Sequence, residues 1–323
     1  MRYSEKENFN RVVTWNNPSH VCINPSSRGA SYAGAWPSDS RPSPDTMAWH
    51  DIWGARWEDK DGEVFPYGGA VDSYEKIDAL VPPDPHAEGR MQPMEALVAE
   101  LDREACFLCV NHPYLFYEKA INVLPPAEFL MSLAAAPDKA HRLLDMFLEF
   151  ELGIAEDYAR YQPDHVNLSD DYGIQDRLSI SPDMWREFFK PRLKRMIDFY
   201  RRNVGEHVTI SLHSCGHVMP ILEDIVEIGF DIINPIQTTA NDLSRMREIT
   251  SHTLCLAGGI DGQRILPFGT PDDVRAEVFT KMDMLWEGGG YLPFAEKRLG
   301  VPKENLEAMT QAIRDWSQAN VED

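Results

Sequence analysis

His213 and Cys215, two of the strongest metal-ligating residue types, stand two residues apart in HVTISLHSCGHVMP, residues 207–220. Side chains alternate faces along a strand. Val208, Ile210 and Leu212 therefore share one face, and Thr209, Ser211, His213 and Cys215 share the other. A His-x-Cys pair on one face can offer an imidazole nitrogen and a thiolate to a single ion, a combination zinc accepts. Gly216 permits a sharp turn. The helix expected from about Val218 would point its N-terminus at the site and favour a thiolate or an anionic ligand. His217 follows the turn and falls outside the pair. The alternative is a buried cysteine beside a hydrogen-bonded histidine. Two ligands do not complete a catalytic zinc site, which usually takes three from the protein.

Similar polar groups recur at other strand ends. In HVNLSDDYGIQ, residues 165–175, Asn167, Ser169 and Asp171 face away from Val166 and Leu168, and Gln175 follows. Asp170 and Asp171 side by side are costly unless bound, hydrogen-bonded or solvated. His50 and Asp51 lie between Trp49 and Trp53; FDIINPIQ ends in Asn234 and Gln237, and LAGGID ends in Asp261. This recurrence points to one shared pocket. Cys255 shares the inward face with Thr253 and Ala257 and is a candidate third ligand, though it precedes the strand end and should sit deep. Cys106 and Cys109 are three apart on a strand, hence on opposite faces, which favours core packing. His112 is placed to reach the rim, and Tyr114, Phe116 and Tyr117 to form core or pocket wall.

Elements of a particular kind must carry these groups. CFLCVNH, HVNLSDD, HVTISLH, FDIINP, TLCLAGG and YLPFA read as short buried strands separated by helical patterns. Leu143, Leu144, Phe147, Ile154 and Tyr158 recur at helical spacing. Ser181 and Pro182 open a second helix, which Pro191 should interrupt. Thr270, Pro271 and two aspartates open a third, which Gly288 stops. With HVCIN and MAWHDIW added, about eight strands alternate with helices. That pattern predicts an α/β fold, a (β/α)8 TIM barrel whose site lies at the C-terminal rim. An open doubly wound sheet is the alternative, weakened because no G-x-G-x-x-G follows a strand. The whole chain, residues 1–323, is expected to be one domain. It would carry a long Ser-, Pro- and Gly-rich loop near residues 24–46 and a hairpin excursion near 51–70 turning at DKDG.

The 323 residues carry 52 Asp plus Glu against 31 Lys plus Arg, a formal net charge of −21. So acidic a chain should repel a phosphate backbone, which argues against a nucleic-acid partner. No apolar run approaches a membrane span, and no signal-peptide pattern opens the sequence. A cytoplasmic location with no membrane partner is expected. Five scattered cysteines suggest reduced thiols rather than a disulfide framework.

The segments from His213 to Gln237, Asp170 to Phe199 and Gly258 to Val278 resemble signature segments of the uroporphyrinogen decarboxylase superfamily, in family order. YSEKENFNRVV and WHDIWGARW are similar to its N-terminal part. The resemblance implies a (β/α)8 barrel and one of two chemistries. The first is metal-free decarboxylation of a tetrapyrrole. Its aspartate matches Asp51 and its tyrosine matches Tyr117. However, the paired arginines of its Arg-Gln-Ala-Gly-Arg-Tyr segment are reduced to Arg28, and its C-terminal histidine has no counterpart. The second is zinc-dependent methyl transfer involving a corrinoid. Its His-x-Cys pair matches His213 and Cys215. Its third ligand, a cysteine near the last strand, is missing, and Glu296 is the nearest substitute.

Loss of the arginine clamp argues against a polycarboxylate substrate. The expected function is therefore methyl transfer between a small methylated substrate and a corrinoid cofactor or protein. Zinc would sit on His213, Cys215 and an unidentified ligand, with Asp51 also in the catalytic set. Asp171, Gln175, Asn234, Gln237, Asp261, His112 and Tyr117 would line the substrate pocket, and Trp49 and Trp53 would wall it. The alternative is a carboxy-lyase acting through Asp51 with Tyr117 in support. A barrel that binds a tetrapyrrole without turnover is a third class. Homodimerisation is compatible with such a barrel.

Overall fold

The computed structural model describes residues 3–23, 27–295 and 300–321. Ten strands are described: β1 Ser27–Ser31, β2 Ala48–His50, β3 Arg56–Lys60, β4 Glu63–Gly68, β5 Phe107–His112, β6 His165–Ser169, β7 Thr209–His213, β8 Ile232–Ile236, β9 Cys255–Ile260 and β10 Tyr291–Ala295. Seven form one sheet in the order β1–β5–β6–β7–β8–β9–β10, with every neighbouring pair parallel. Parallel neighbours require crossovers, here mostly helical. The sheet curls until all seven strands line one interior cavity of about 440 Å³.

Among the described residues no ladder joins β10 to β1, so the wall is a curled seven-stranded sheet rather than a ring of eight paired strands. Two expected barrel strands are placed elsewhere. The described part of HVCIN forms no strand, and Ala48–His50 belongs to a separate antiparallel sheet, β2–β3–β4. Conversely, β1 lies inside the segment read as loop. Its sequence, SRGAS, lacks apolar alternation because its inward face is crowded: a Cβ on Gly29 would lie 3.2 Å from Cys109 Cβ and 3.3 Å from Asn111 Nδ2. The hairpin appears where DKDG places it. Asp61 and Gly62 both have positive φ, 57° and 88°, the two-residue turn that matches strand twist.

The outward faces of the strands make the core. Leu108, Val110, Val166, Leu168, Ile210, Leu212, Ile233 and Leu256 are fully buried under the helices. Helix Pro137–Ala159 buries the residues its spacing selected, Leu143, Leu144, Phe147, Ile154 and Tyr158. The next helical stretch breaks at Phe189 into Pro182–Phe188 and Lys190–Asn203, ahead of Pro191, whose ring cannot continue a hydrogen-bonded turn. Ser181 caps the first piece through Met184 N at 3.2 Å. No helix among the described residues is long and apolar enough to cross a membrane.

The inward faces are more polar. His165 Nε2 lies 2.8 Å from Ser211 Oγ, which donates to Asn167 Oδ1 at 2.9 Å. Burial pushes the His165 imidazole down to about 4. The unfolded chain therefore binds a proton below about pH 6.5 that the folded chain refuses until about pH 4. Stability should fall with pH across that window, by about 2 kcal/mol from this group between pH 7 and pH 5. Urea denaturation at both pH values, with His165→Gln showing a correspondingly smaller difference, checks this.

Candidate functional site

Register brings three strand ends to one level. Ser169 of β6 pairs with His213 of β7, and His213 with Asn234 of β8. Side chains directly across a strand pair are close neighbours, and His213 Nδ1 lies 2.7 Å from Asn234 Oδ1. A carbonyl oxygen can only accept, so Nδ1 carries the proton and Nε2 presents a lone pair. That lone pair faces Cys215 Sγ at 3.6 Å and Asp171 Oδ1 at 3.9 Å. The three ligand atoms lie within 4.8 Å of one another, and all three residues are half-buried.

Two crossed loops hold this geometry. Cys215 N donates to Asp171 Oδ1 at 2.8 Å, and Gly216 N donates to Gln237 Oε1 at 2.7 Å. Gly216 has a φ of +80°, and a Cβ there would meet the Gly173 backbone carbon at 2.4 Å. Asn241 ties the same turn by donating to Gly216 O at 2.9 Å and accepting from Val218 N at 3.0 Å. Gln175 Nε2 donates to Thr239 O at 2.9 Å, and His217 Nδ1 to Ala240 O at 2.7 Å. His217 therefore braces the loop, outside the cluster. The expected helix from Val218 begins instead as a 3-10 turn, Met219–Ile221, and becomes regular at Leu222–Ile228.

The adjacent aspartates have separate tasks. Asp170 is fully buried and accepts from the backbone N–H of Phe116, Tyr117 and Glu118 at 3.1, 2.8 and 2.8 Å. It thereby occupies the N-terminus of helix Tyr117–Val123, where the aligned peptide dipoles favour an anion. Burial still pushes it up to about 6. Glu118 accepts from Asp171 N at 3.2 Å. Burial, then Asp170 and Asp171, push Glu118 up to about 9, so it holds its proton at neutral pH.

Other expected site residues are placed differently. His112 is not at the rim. It shares the helix-facing side with Leu108 and Val110, fully buried, with Nδ1 2.6 Å from Glu151 Oε2 and Nε2 2.6 Å from Tyr200 OH. Trp53 packs edge-on against Phe147 and Phe150 in the core. Trp49 is buried, donating to Pro37 O at 2.7 Å. The Tyr117 ring sits among Phe129, Tyr172 and Phe189. Both Asp51 oxygens are engaged: Oδ1 accepts from Trp53 N at 2.8 Å and Ala55 N at 3.0 Å, and Oδ2 from Trp57 Nε1 at 2.8 Å. Asp261 caps the turn after β9 through Gln263 N and Arg264 N, both 2.8 Å. Cys255 lies at the start of β9, clustered with Phe9, Cys22 and Phe107 at the opposite end of the sheet, and its burial pushes the thiol well up. Glu296 lies outside the described residues.

Glu118 and Asn241 belong to no motif in the sequence, and Tyr114 reads there only as core or wall. Tyr114 has φ +51°, packs edge-on against Trp36 and Trp57, and lies near enough to Glu118 and Asp171 that, after burial, their charges raise its hydroxyl further. Unusual φ in a bulky residue beside a polar cluster is the structural signal; nothing in the letters carries it.

The family model described as uroporphyrinogen decarboxylase (URO-D) matches residues 53–316. Two curated relatives, each called Methylcobamide:CoM methyltransferase MtaA, come from Methanosarcina barkeri and its strain Fusaro / DSM 804. They are 26% and 24% identical over 183 residues, 55% of this chain and 50% of theirs. The chain thus spans about half the length of the curated relatives it matches. A solved structure titled methyltransferase from Methanosarcina mazei superposes with a TM-score of 0.71 at 17% identity, covering 98% of this chain and 99% of that one. It is a likeness of fold. Closely crossed glycine loops give a direct test of the rim. Gly216→Ala and Gly173→Ala should each lower stability by about 2–4 kcal/mol, measured by urea denaturation, because each Cβ meets backbone of the other loop.

Proposed function

The chain belongs to the uroporphyrinogen decarboxylase family, and from that premise we propose that it is a zinc-dependent methyltransferase. It would move a methyl group between a small methylated substrate and a corrinoid, free or carried by a partner protein. The observation that carries this reading is the Asp171–His213–Cys215 cluster at the C-terminal ends of β6 and β7. The donor set fits zinc: one imidazole nitrogen, one sulfur and one carboxylate oxygen, three protein ligands with a fourth position left for substrate. Tetrahedral bonds of about 2.0–2.3 Å separate ligand atoms by roughly 3.3–3.8 Å, close to the 3.6 and 3.9 Å found about His213 Nε2. Asp171 would thus be the third ligand, in place of the Cys255 and Glu296 that the sequence suggests.

A zinc ion held there would act as a Lewis acid, polarising a substrate oxygen or stabilising a thiolate. The chain's own residues would do the rest. Asn234 holds the proton on His213 Nδ1 and so keeps the Nε2 lone pair directed into the cluster. The Cys215 backbone N–H and Glu118, from opposite sides, fix where Asp171 can place its carboxylate. The names of the curated relatives support a corrinoid methyl donor or acceptor. The engagement of Asp51 by three N–H groups speaks against the carboxy-lyase alternative, which needs that carboxylate turned to substrate. The single curled sheet supports reading residues 1–323 as one domain.

Protein purified without chelator should hold about one zinc per chain. Cys215→Ser and Asp171→Asn should each remove most of it, and Asn234→Ala should weaken affinity about 10–100-fold. Metal analysis, together with methylcobalamin demethylation in the presence of a small thiol as methyl acceptor, followed by the corrinoid absorbance, reads both parts. Wild type with less than about 0.2 zinc per chain, unchanged in Cys215→Ser, would refute the metal centre. Demethylation indifferent to all three substitutions would refute the cluster as the site of reaction, and no demethylation by zinc-loaded wild type would refute the reaction.

A further inference from the structure

We propose that the interior of the curled sheet, directly beneath the Asp171–His213–Cys215 cluster, is a binding site for a neutral, mainly apolar small molecule with one hydrogen-bond-accepting oxygen, such as an aryl methyl ether. The identification of that molecule as the methyl-group substrate rests on the proposed function; the cavity and its preference do not.

Barrel interiors of this kind are normally filled by layers of branched side chains. Here the inward positions Ser27, Gly29, Cys109, Ser211 and Ala257 are small, and a cavity of about 440 Å³ remains. That volume lies in the range of small-molecule sites and suits a single substituted ring. Its floor and one wall are apolar, formed by Phe9, Phe107, Ile232, Leu292 and Phe294.

The opposite wall is polar and ordered. The Ser211 hydroxyl donates to Asn167 Oδ1, so it accepts from His165 Nε2–H. Asn234 Oδ1 is engaged by His213. With both amide oxygens engaged, the NH₂ groups of Asn167 and Asn234 are the donors that remain. They call for an acceptor on the ligand, an ether, carbonyl or hydroxyl oxygen. Asn234 belongs to both places: it lines the cavity and it orients His213, its cross-strand partner. A ligand oxygen bound to Asn234 therefore sits at the cavity end nearest the cluster.

Charge sets the class. The described residues that line the cavity include no Asp, Glu, Lys or Arg, and burial keeps His165 neutral. A carboxylate or sulfonate entering would surrender its hydration and meet no counter-charge among the described lining residues. The cavity thus selects against the anionic ligand that an acidic chain with an arginine clamp would hold.

Isothermal titration of the full chain at pH 7 with 4-bromoanisole and with its anionic counterpart 4-methoxybenzoate tests the site. 4-Bromoanisole should bind, and 4-methoxybenzoate should bind at least about tenfold more weakly. Ala257→Phe, which fills the cavity, should weaken 4-bromoanisole by about tenfold or more. Equal affinity for the two compounds, or unaltered binding in Ala257→Phe, overturns the proposal. If Ala257→Phe does not fold, bromine anomalous scattering from soaked crystals decides: a peak between Phe107, Asn167 and Phe294 supports the site, and its absence there overturns it. Wild type that binds 4-bromoanisole but never transfers a methyl group overturns the methyltransferase reading and leaves the cavity site standing. Wild type that transfers methyl groups but does not bind 4-bromoanisole overturns the cavity site alone.

Discussion

The register between β6, β7 and β8 is the constraint on which the site depends. Parallel pairing sets Ser169, His213 and Asn234 across from one another. A slip of one residue would turn every side chain to the opposite face. His213 would then enter the helix layer among Leu212 and its neighbours, and Asn234 would lose its partner. The apolar outer faces enforce the register, because a slip would also send Ile210 and Leu212 into the lumen. Hydrophobic burial under the helices thus determines the tautomer of a histidine at the rim.

Buried polar groups carry the loops that the sheet cannot hold. Asp170 satisfies three backbone donors at the start of one helix and, by being fixed, delivers Asp171 to the cluster. Farther inside, Glu151 is completely buried. Burial works to raise it, but Lys119 and His112 outweigh that and hold it below the usual carboxylate range. Lys119 contacts Glu151 directly and lies 5.4 Å from the Trp53 ring centroid. Such a group is stable only when every partner is present. This accounts for His112 and Trp53, which look like pocket residues in the sequence but belong to a support beneath it.

The lumen and the exterior differ in electrostatic character. The chain's acidity is spread over its surface and loops, including the rim, where Asp171 lies. The described cavity wall is neutral and mostly small or aromatic. An acidic rim favours a cation, and a neutral lumen favours an uncharged ring. One molecule can therefore present two chemistries along the axis of a single sheet.

The letters alone determined the helical and strand periodicities, the break before Pro191, the hairpin turn at Asp61 and Gly62, the shared strand face of His213 and Ser211, and the family. Those features are local: they follow from alternation, capping and the φ preferences of single residues. β1 escaped because an inward face crowded by Cys109 and Asn111 leaves no apolar pattern to read. His112 was misplaced because parity says which residues share a face but not which face is the lumen. Asp171 could be seen as a pocket residue yet not as the third ligand, since its distance from His213 depends on two loops, closed over Gly173 and Gly216, that are 43 residues apart in sequence. Only tertiary packing decides such distances, because they are set by the sum of helix, sheet and loop placements and not by any one stretch of chain.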